Sequence, residues 1–454
     1  PEEHFTDTIK AACGLADPNA VWGMTQAAPE LLHWLLKLGV KFNMSGYDDV
    51  DLRNFGGQKK KRTAFAQSDT GKQIMTAMID AVRRKEASGM VERFSHHSFL
   101  TLRLCDNICC GCVIRDEYSQ ETVELPGDAV IVATGGMHGL FGNTTGSLSN
   151  TGEVTAELFR LGVPLANGEM IQYHPTTVKC GGKRMLISEA ARGEGGRLFA
   201  MKDGKQWYFM EEKYPELGNL MPRDITAREI WKVSHESEVF LDMTEISDEI
   251  ISNKLSGLAD DCMTYLHKDI RKEPVSVLPG IHYFMGGILV DEQHRTPIQN
   301  LYAAGECCAQ YHGANRLGGN SLLGALYGGR VAAKSACEQA DVVDLSCATQ
   351  IDFPPASQIS EIKQLNKVMQ ETMGVVRNEN TLLNGIQTVQ ALTGNLPLLG
   401  MAVLKSALAR KESRGAHWRE DYPKSNDDDY LKTTVARFDG KQIQISFVPV
   451  PERR

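Results

Sequence analysis

Apolar positions near the start of the chain repeat with the period of amphipathic helices. Between residues 18 and 40 a stripe of leucines follows Asp17, which suits a helix start, and Gly39 suits the end. A second helical pattern begins after Asp69 and extends to about Arg84. The pattern therefore predicts two amphipathic helices in this part of the chain.

Two short, continuously apolar runs predict buried parallel strands, at residues 129–133 and 301–304. Residues 168–290 mix short strands, loops and helices, and the pattern after about 343 is mainly helical. An α/β pattern that is interrupted and then resumes predicts a nucleotide-binding domain with another domain inserted into it. The predicted boundaries are 1–167 and 289–342 for the two parts of the nucleotide-binding domain, 168–288 for the inserted domain and 343–454 for a C-terminal helical domain.

Composition narrows the function classes. The 454 residues are 42% hydrophobic and 23% charged, which is typical of a soluble globular protein. A net charge of -8 gives no reason to expect nucleic-acid binding. No apolar run is long enough to span a bilayer, so membrane association would require a partner.

The 11 cysteines are scattered and odd in number, which favours free thiols. Four of them, Cys105, Cys109, Cys110 and Cys112, are close in sequence. They lie in two apolar runs separated by two polar residues, a pattern that predicts a β-hairpin whose side chains alternate faces. Converging metal ligands are therefore not expected, and no metal site is predicted.

Glycines follow both predicted parallel strands. Thr134, Gly135 and Gly136 end the first strand, and Gly305 and Glu306 end the second. Glycine in this position allows the backbone to approach a nucleotide closely. The glycine-rich segment 311–322 comes next and carries His, Arg, Asn and Ser, which suits a cradle for a cofactor and an anionic substrate.

The inserted region contains further candidate residues beside glycines and near domain boundaries. These are His174, Ser188, Glu189, Arg192, Arg223 and His282, to which segment 311–322 adds Arg316. Two histidines and three arginines provide the fixed cations and hydrogen-bonding groups that a dicarboxylate requires.

As a set, these segments resemble the flavoprotein subunits of fumarate reductase and succinate dehydrogenase. The wider family includes L-aspartate oxidases and soluble single-chain fumarate reductases. The resemblance covers nearly the whole chain, including residues 53–57, 62–71, 374–378 and 412–417. It implies an α/β fold with a two-part (interrupted) FAD-binding Rossmann-like domain, an inserted α+β capping domain and a C-terminal helical domain.

The resemblance also implies a role for each candidate residue. His174, Ser188, His282 and Arg316 would hold the substrate carboxylates. Arg223 would donate or accept the proton, with Glu189 and Arg192 as a relay to solvent; a purely electrostatic role for Arg223 is the alternative. The residues implied to contact FAD are Thr134, Gly135, Gly136, Glu153, Gly305, Glu306, Asn320, Ser321 and Leu322. Glu153 stands where the family usually has Asp, and Ser188 stands where Thr is common.

The implied reaction interconverts fumarate and succinate, with hydride transfer at FAD and proton transfer through Arg223. The implied partners are an iron–sulfur protein and, through it, a quinone-linked membrane anchor. The protein is then expected in the cytoplasm, peripheral on the cytoplasmic face of the inner membrane. The direction of reaction depends on the flavin potential and the quinone, both outside this chain.

One element of the resemblance is missing from the chain. The first strand of the FAD-binding domain should carry a G-x-G-x-x-G fingerprint, which the chain lacks. We expect this element upstream of Pro1, together with the histidine that anchors FAD covalently in complex-forming relatives. The chain as given is then expected to bind FAD weakly or not at all.

Three other functions are weighed against this one. An L-aspartate oxidase needs a carboxylate for the substrate ammonium on the helix after Gly71, and this helix begins Lys72-Gln73-Ile74-Met75. A soluble single-chain fumarate reductase is disfavoured by the helical C-terminal region with residues 412–417. The third alternative is an inactive fragment without FAD, which the missing fingerprint would explain.

Overall fold

A computed structural model describes residues 1–46, 49–55, 58, 60–67, 69–147, 149–340, 351, 353 and 359–454. Gly56, Gly57 and Ser68, which belong to two of the segments used above, lie outside the described residues. The α-helices are Glu2–Ala11, Pro18–Lys37, Thr70–Ala87, Glu153–Arg160, Glu189–Gly193, Phe209–Lys213, Arg223–Val233, Asp248–Lys254, Ser256–Asp261, Asn320–Gln339, Ile359–Thr372, Glu379–Val389, Asn395–Ala409 and Asp427–Tyr430.

The strands form several small sheets. A two-stranded parallel sheet pairs Val130–Val132 with Leu301–Ala303, and the mixed sheet of five strands has the order Cys308–Ala309, Gly287–Leu289, Leu165–Ala166, Lys432–Phe438 and Ile443–Pro449. The sheets of the inserted region are Lys205–Trp207, Arg197–Lys202, Val239–Asp242 and Val275–Ser276 in one, and Leu278–Phe284, Ile171–Cys180 and Lys183–Leu186 in the other. The remaining sheets are His97–Cys105, Ile108–Asp116 and Thr122–Pro126, and the pair Leu52–Arg53 and Thr63–Ala64.

The interrupted α/β architecture follows the hydrophobic pattern. The two apolar runs pair in parallel, with Val130 opposite Leu301 and Val132 opposite Ala303. Between them, the inserted region builds its own hydrophobic core, in which Leu198, Ile230 and Leu241 are fully buried. A chain that leaves a sheet, forms a second core and returns brings residues distant in sequence to the junction between the two parts.

Both predicted N-terminal helices are present. Asp17 caps the helix Pro18–Lys37 by accepting hydrogen bonds from the backbone N–H groups of Asn19 and Ala20 at 2.9 and 3.2 Å. Such side-chain caps satisfy N–H groups that the helix itself cannot pair. The second helix, Thr70–Ala87, places Ile74 in the interior.

The cysteine-rich segment forms the predicted β-hairpin. His97–Cys105 pairs with Ile108–Asp116 through Asp106 and Asn107, both with positive φ. Among the described residues no group of His, Cys, Asp and Glu could hold a metal ion. Nine described cysteines are free thiols, but Cys105 is disulfide-bonded, so the expectation of free thiols is wrong at that position.

The C-terminal region is only partly helical. Its helices Ile359–Thr372, Glu379–Val389 and Asn395–Ala409 agree with the pattern and pack into one apolar core. The chain then ends in an antiparallel hairpin, Lys432–Phe438 with Ile443–Pro449, whose first strand pairs with Leu165–Ala166. A helical interpretation is therefore wrong for this hairpin. No helix in the described part of the chain is long and apolar enough to cross a membrane.

Candidate functional site

A cavity of about 320 Å³ lies between the N-terminal helices, the inserted region and the start of helix Asn320–Gln339. One side is apolar and includes Leu35, Phe65 and Ile74. The polar lining consists largely of cations, imidazoles and hydrogen-bonding groups: His4, Arg53, Gln58, Arg62, Thr63, Thr70, Arg223, His282, Arg316, Asn320 and Ser321. None of the described residues that line the cavity is acidic. The cavity therefore suits an anionic ligand.

Arg223 begins the helix Arg223–Val233, is largely buried and lines the cavity. Its Nε and Nη2 donate to Glu189 Oε2 at 3.0 and 2.7 Å, and its Nη1 donates to Gln172 Oε1 at 3.1 Å. A guanidinium held along two edges keeps one orientation, because its donors form a rigid planar fork.

Glu189 links two arginines. Its Oε1 accepts from Arg192 Nη2 at 3.2 Å, and Arg192 Nη1 donates to the Asn219 carbonyl at 2.6 Å. Burial by itself would raise the pKa of Glu189, but Arg223 and Arg192 hold that pKa below its ordinary value. Burial lowers the pKa of Arg192. Hydrogen bonds thus join the three side chains into one continuous chain.

His174 and His282 lie together, with ring centroids 5.2 Å apart. His282 lines the cavity and is hydrogen-bonded through Nδ1 to Thr145 Oγ1 at 2.8 Å. His174 is buried behind it, and its Nε2 has no hydrogen-bond partner among the described residues. Burial, reinforced by Arg223, holds the pKa of both imidazoles well below the ordinary value. Both histidines are therefore neutral at pH 7.

Arg316 is 3% exposed and contacts the face of Tyr283, with its Cζ 4.6 Å from the ring centroid. Its buried Nε has no hydrogen-bond partner within the described residues. Burial lowers the pKa of Arg316 to about 9, and the nearby Arg223 contributes to the shift. A buried cation with a free donor beside a cavity is a strong anion-binding group.

The predicted cofactor residues fall into two groups. Asn320, Ser321 and Leu322 line the cavity at the start of a 20-residue helix whose N-terminus has no side-chain cap. The N–H groups of its first turn and the helix dipole favour an anion there. Asn320 is held by His4 and Thr8 through hydrogen bonds of 2.8 and 2.9 Å.

The second group lies at the ends of the two parallel strands. Glu306 Oε1 accepts from the Phe284 N–H at 3.0 Å and lies 3.6 Å from His138 Nε2. A Cβ added to Gly136 would lie 2.8 Å from the same carboxylate oxygen, so glycine is required for this close approach. The remaining members, Thr134, Gly135 and Gly305, extend these strand ends, and none of the group lines the cavity described above.

Ser188 and Glu153 are placed away from the cavity lining. Ser188 caps the short helix Glu189–Gly193 by accepting from the Ala190 N–H at 3.2 Å. Glu153 is exposed at the first position of helix Glu153–Arg160. Thr151, just before that helix, packs closely on Gly139, which follows the first parallel strand. A Cβ added to Gly139 would lie only 2.4 Å from the Thr151 carbonyl oxygen.

Several site residues were missed by sequence reasoning. Gln172, two positions before His174, contacts Arg223, and Asn315, within segment 311–322, contacts Gln172. Arg53 lines the cavity from segment 53–57, which belongs to the resemblance but was assigned no role. The signal available for Gln172 and Asn315 was their position next to candidate histidine and arginine residues.

A buried histidine outside the cavity provides a pH test. His417 Nδ1 is hydrogen-bonded to Arg377 Nη1 at 2.9 Å, and its Nε2 to the Arg410 carbonyl at 3.2 Å. Arginine can only donate and a carbonyl can only accept, so this geometry requires the neutral ring. Burial, with Arg377 and Arg410 nearby, holds the pKa of His417 well below its ordinary value.

We expect the free energy of unfolding to fall as the pH decreases from about 7.5 to 5.5. Below about pH 6.5 the imidazole binds a proton in the unfolded state but stays neutral in the folded state. The free energy of unfolding therefore changes by up to about 1.4 kcal/mol per pH unit for each such histidine. Chemical denaturation at several pH values of the wild type, His417→Gln and the exposed control His33→Gln measures this slope. A slope unchanged by His417→Gln would contradict the prediction.

The profile of the FAD binding domain family matches residues 1–322, and that of the fumarate reductase flavoprotein C-term family matches residues 392–453. The fold is a two-part nucleotide-binding domain beside a cationic cavity, and residues 1–322 match the FAD binding domain family. Together these findings define the class of the protein as a FAD-dependent flavoprotein.

Individual relatives agree with this class. The chain is 36% identical to the succinate dehydrogenase flavoprotein subunit of Bacillus subtilis, over 100% of this chain and 88% of the relative. It is 33% identical to the L-aspartate oxidase of Pyrococcus furiosus, over 94% and 85%. Among solved structures, a mutant of the E. coli quinol fumarate reductase FrdA superposes with a TM-score of 0.88 at 26% identity, over 99% of this chain and 86% of that one. The chain belongs to the succinate dehydrogenase and fumarate reductase flavoprotein family.

Proposed function

We propose that this chain is the FAD-carrying flavoprotein of an enzyme that interconverts fumarate and succinate. The observation that carries the proposal is the cavity lined by Arg53, Arg62, Arg223 and Arg316, with no acidic residue in its described lining. Two carboxylates need cations that are fixed before the ligand binds, since preorganised charges cost no rearrangement during reaction. The buried arginines beside this cavity meet that requirement.

We assign the substrate contacts to His174, Ser188, His282 and Arg316. Arg316 and His282 line the cavity, and His174 stacks edge-on against His282 with a free Nε2. Neutral imidazoles donate hydrogen bonds to a carboxylate without adding charge, whereas Arg316 supplies the charge. The Ser188 hydroxyl caps a helix by accepting from the Ala190 N–H, and its own proton remains to be donated to a carboxylate.

FAD supplies the hydride donor or acceptor when it is bound. Arg223 holds the proton that the adjacent substrate carbon takes up in fumarate reduction. An ordinary guanidinium has a pKa above ~12, so its neutral form must be short-lived. Glu189 contacts Arg223 and Arg192 through its two oxygens and can return the proton to Arg223 by way of Arg192. The cationic lining stabilises the negative charge that develops on the substrate carboxylate.

The described residues also fit FAD. The strand ends carry glycines, and Gly136 permits the close approach of Glu306, whose carboxylate is an acceptor at this position. We assign the cofactor contacts to these strand ends, that is Thr134, Gly135, Gly136, Gly305 and Glu306, together with the helix start Asn320, Ser321 and Leu322. Glu153 completes the set from the neighbouring helix start.

The alternative substrate is L-aspartate. Its ammonium group needs an acidic partner, and the first turn of Thr70–Ala87 contributes Thr70 and Ile74 to the cavity instead. The described lining contains no carboxylate from any other element. This composition favours an unsubstituted dicarboxylate.

We propose the same partners and location that the resemblance implies. An iron–sulfur protein would carry electrons between this flavoprotein and a quinone-linked membrane anchor, on the cytoplasmic face of the inner membrane. The match of residues 392–453 to the fumarate reductase flavoprotein C-term profile supports a subunit rather than a single-chain enzyme. The four domain boundaries predicted above remain part of this proposal.

The visible spectrum of the purified chain with added FAD tests the function. Where the chain retains the added FAD, we expect its flavin bands to bleach on chemical reduction and to return when fumarate is added, but not when iminoaspartate is added. Reoxidation by iminoaspartate alone would support an L-aspartate oxidase instead. Absence of bound flavin would support the inactive fragment.

A matched pair of variants sharpens this test. Arg316→Met removes the buried cation at the cavity, and Arg295→Met removes an exposed arginine from the same part of the chain. We expect both variants to keep flavin and only Arg316→Met to lose reoxidation by fumarate. Equal reoxidation in the two variants would contradict the substrate assignment.

A further inference from the structure

Gln172 occupies a central position that the assigned roles do not use. Its side chain is 0% exposed on the strand Ile171–Cys180. Its Oε1 accepts from Arg223 Nη1 at 3.1 Å, and its Nε2 donates to Asn315 Oδ1 at 2.9 Å and to the Arg316 carbonyl at 2.8 Å. One amide thus joins the proton-transferring arginine to the backbone of the carboxylate-binding arginine.

The surrounding groups allow this amide only one orientation. The Arg316 carbonyl can only accept, so it requires the NH₂ group of Gln172 on its side. Asn315 adds a second constraint, because its Nδ2 donates to Asp224 Oδ1 at 3.1 Å and its oxygen therefore faces Gln172. A flipped Gln172 amide would point N–H groups at a guanidinium that has only N–H groups to offer.

The same contacts restrict Arg223. Glu189 and Gln172 engage three of its five N–H groups from two directions, which leaves the others for a ligand in the cavity. Glu189 alone, binding through Oε2 to Nε and Nη2, would permit the guanidinium to pivot about that oxygen. The hydrogen bond from Arg223 Nη1 to Gln172 prevents this rotation of the guanidinium.

We propose that Gln172 is a positioning residue that fixes the direction of proton delivery by Arg223 relative to the carboxylate held by Arg316. Asn315 and Asp224 hold the Gln172 amide in the productive orientation. This inference rests on the proposed function, since it presupposes that Arg223 transfers the proton. Through its hydrogen bonds, Gln172 links the inserted region, which carries Arg223, to the following segment, which carries Arg316.

Steady-state kinetics of Gln172→Leu test the proposal. A misplacement of about 1 Å in a reacting group can lower a rate about 100-fold, so we expect kcat for fumarate reduction to fall by about this factor. The KM for fumarate should change less than about threefold, because Arg316 and His282 remain in the cavity. The solvent deuterium isotope effect on kcat should rise, because proton transfer becomes the slow step.

Two further variants keep the test decisive if Gln172→Leu folds poorly. Gln310→Leu removes another buried glutamine, whose amide donates to the Asp291 carbonyl away from the cavity, and it should leave kcat and the isotope effect unchanged. Asn315→Asp keeps an acceptor for Gln172 but loses the donor to Asp224. The kcat of Asn315→Asp should lie between the kcat of the wild type and that of Gln172→Leu.

The outcomes separate this inference from the proposed function. A wild type that does not reduce fumarate contradicts the proposed function. The inference is then decided by crystal structures of the wild type and Gln172→Leu, in which a displaced Arg223 guanidinium supports it. Wild-type kcat in Gln172→Leu, an unchanged isotope effect, or an Arg223 that keeps its place would each overturn it.

Discussion

Replacement of Arg223 by lysine is expected to lower kcat for fumarate reduction by about 10²–10⁴-fold, the range typical of a lost general acid. Lysine keeps the positive charge but lacks the planar fork that contacts Glu189 and Gln172 together. The ammonium would therefore reach neither the relay nor the substrate carbon in the right direction. Stopped-flow reoxidation of the reduced flavoprotein by fumarate measures the step directly.

Arg228 provides the matched control for this prediction. It lies on the same helix, and its Cζ is 4.0 Å from the Trp418 ring centroid, outside the lining of the main cavity. Arg228→Lys should retain the wild-type reoxidation rate. If Arg223→Lys reoxidises as fast as Arg228→Lys, Arg223 acts only as a positive charge, and the electrostatic alternative is correct.

The second large effect is expected in stability, at a buried charge network around Glu169. Glu169 and Arg410 are both 0% exposed and form an ion pair of 2.7 Å. Arg410 also donates to Glu412 at 2.7 Å, and Thr434 Oγ1 donates to Glu169 at 2.5 Å. Removal of one partner from such a network leaves a buried group uncompensated.

Glu169→Ala is therefore expected to lower the free energy of unfolding by about 3–5 kcal/mol. Glu169→Gln keeps an acceptor for Arg410 and Thr434, so its loss should be smaller. Glu3, in an exposed pair with Lys60, is the surface control, and Glu3→Ala should change the unfolding midpoint little. Guanidinium denaturation of the three variants gives the comparison, and equal midpoints for Glu169→Ala and Glu3→Ala would refute the prediction.

Local patterns were sufficient for the framework of the fold. The runs that became Val130–Val132 and Leu301–Ala303 are apolar at every position, and that signature is visible in sequence. Leu301–Ala303 is buried throughout, but the prediction of a buried strand is wrong at Ile131, which is 41% exposed. The helix Pro18–Lys37 carries its own start signal in Asp17. The interrupted α/β arrangement could be predicted because each of the two strands is recognisable from its own apolar run, whatever is inserted between them.

The remainder depends on contacts between distant segments. The hairpin Lys432–Phe438 and Ile443–Pro449 exists because its first strand pairs with Leu165–Ala166, and no short window of sequence contains that partner. Arg223, His282 and Arg316 were recognised as a set and do line one cavity. Their individual roles remain predictions.

Gln172 shows the same limit at the site itself. An uncharged amide between an apolar residue and an aromatic one gives no signal of its own, and its importance comes from three partners at positions 223, 315 and 316. The hydrogen-bond partners of a buried amide are set by the tertiary fold, so only the structure identifies it.

The path of the C-terminal segment has a consequence for the timing of activity during synthesis. The Ala416 N–H donates to the Ala314 carbonyl at 2.9 Å, and Arg414 donates to the Cys13 carbonyl at 3.1 Å. The loop that carries Arg316 is thus held by residues that lie later in the chain and leave the ribosome after it. Because domains can begin to fold while the chain is still growing, the inserted region can form its core early, but the anion-binding site is completed only afterwards. A nascent or prematurely terminated chain would thus lack a finished site.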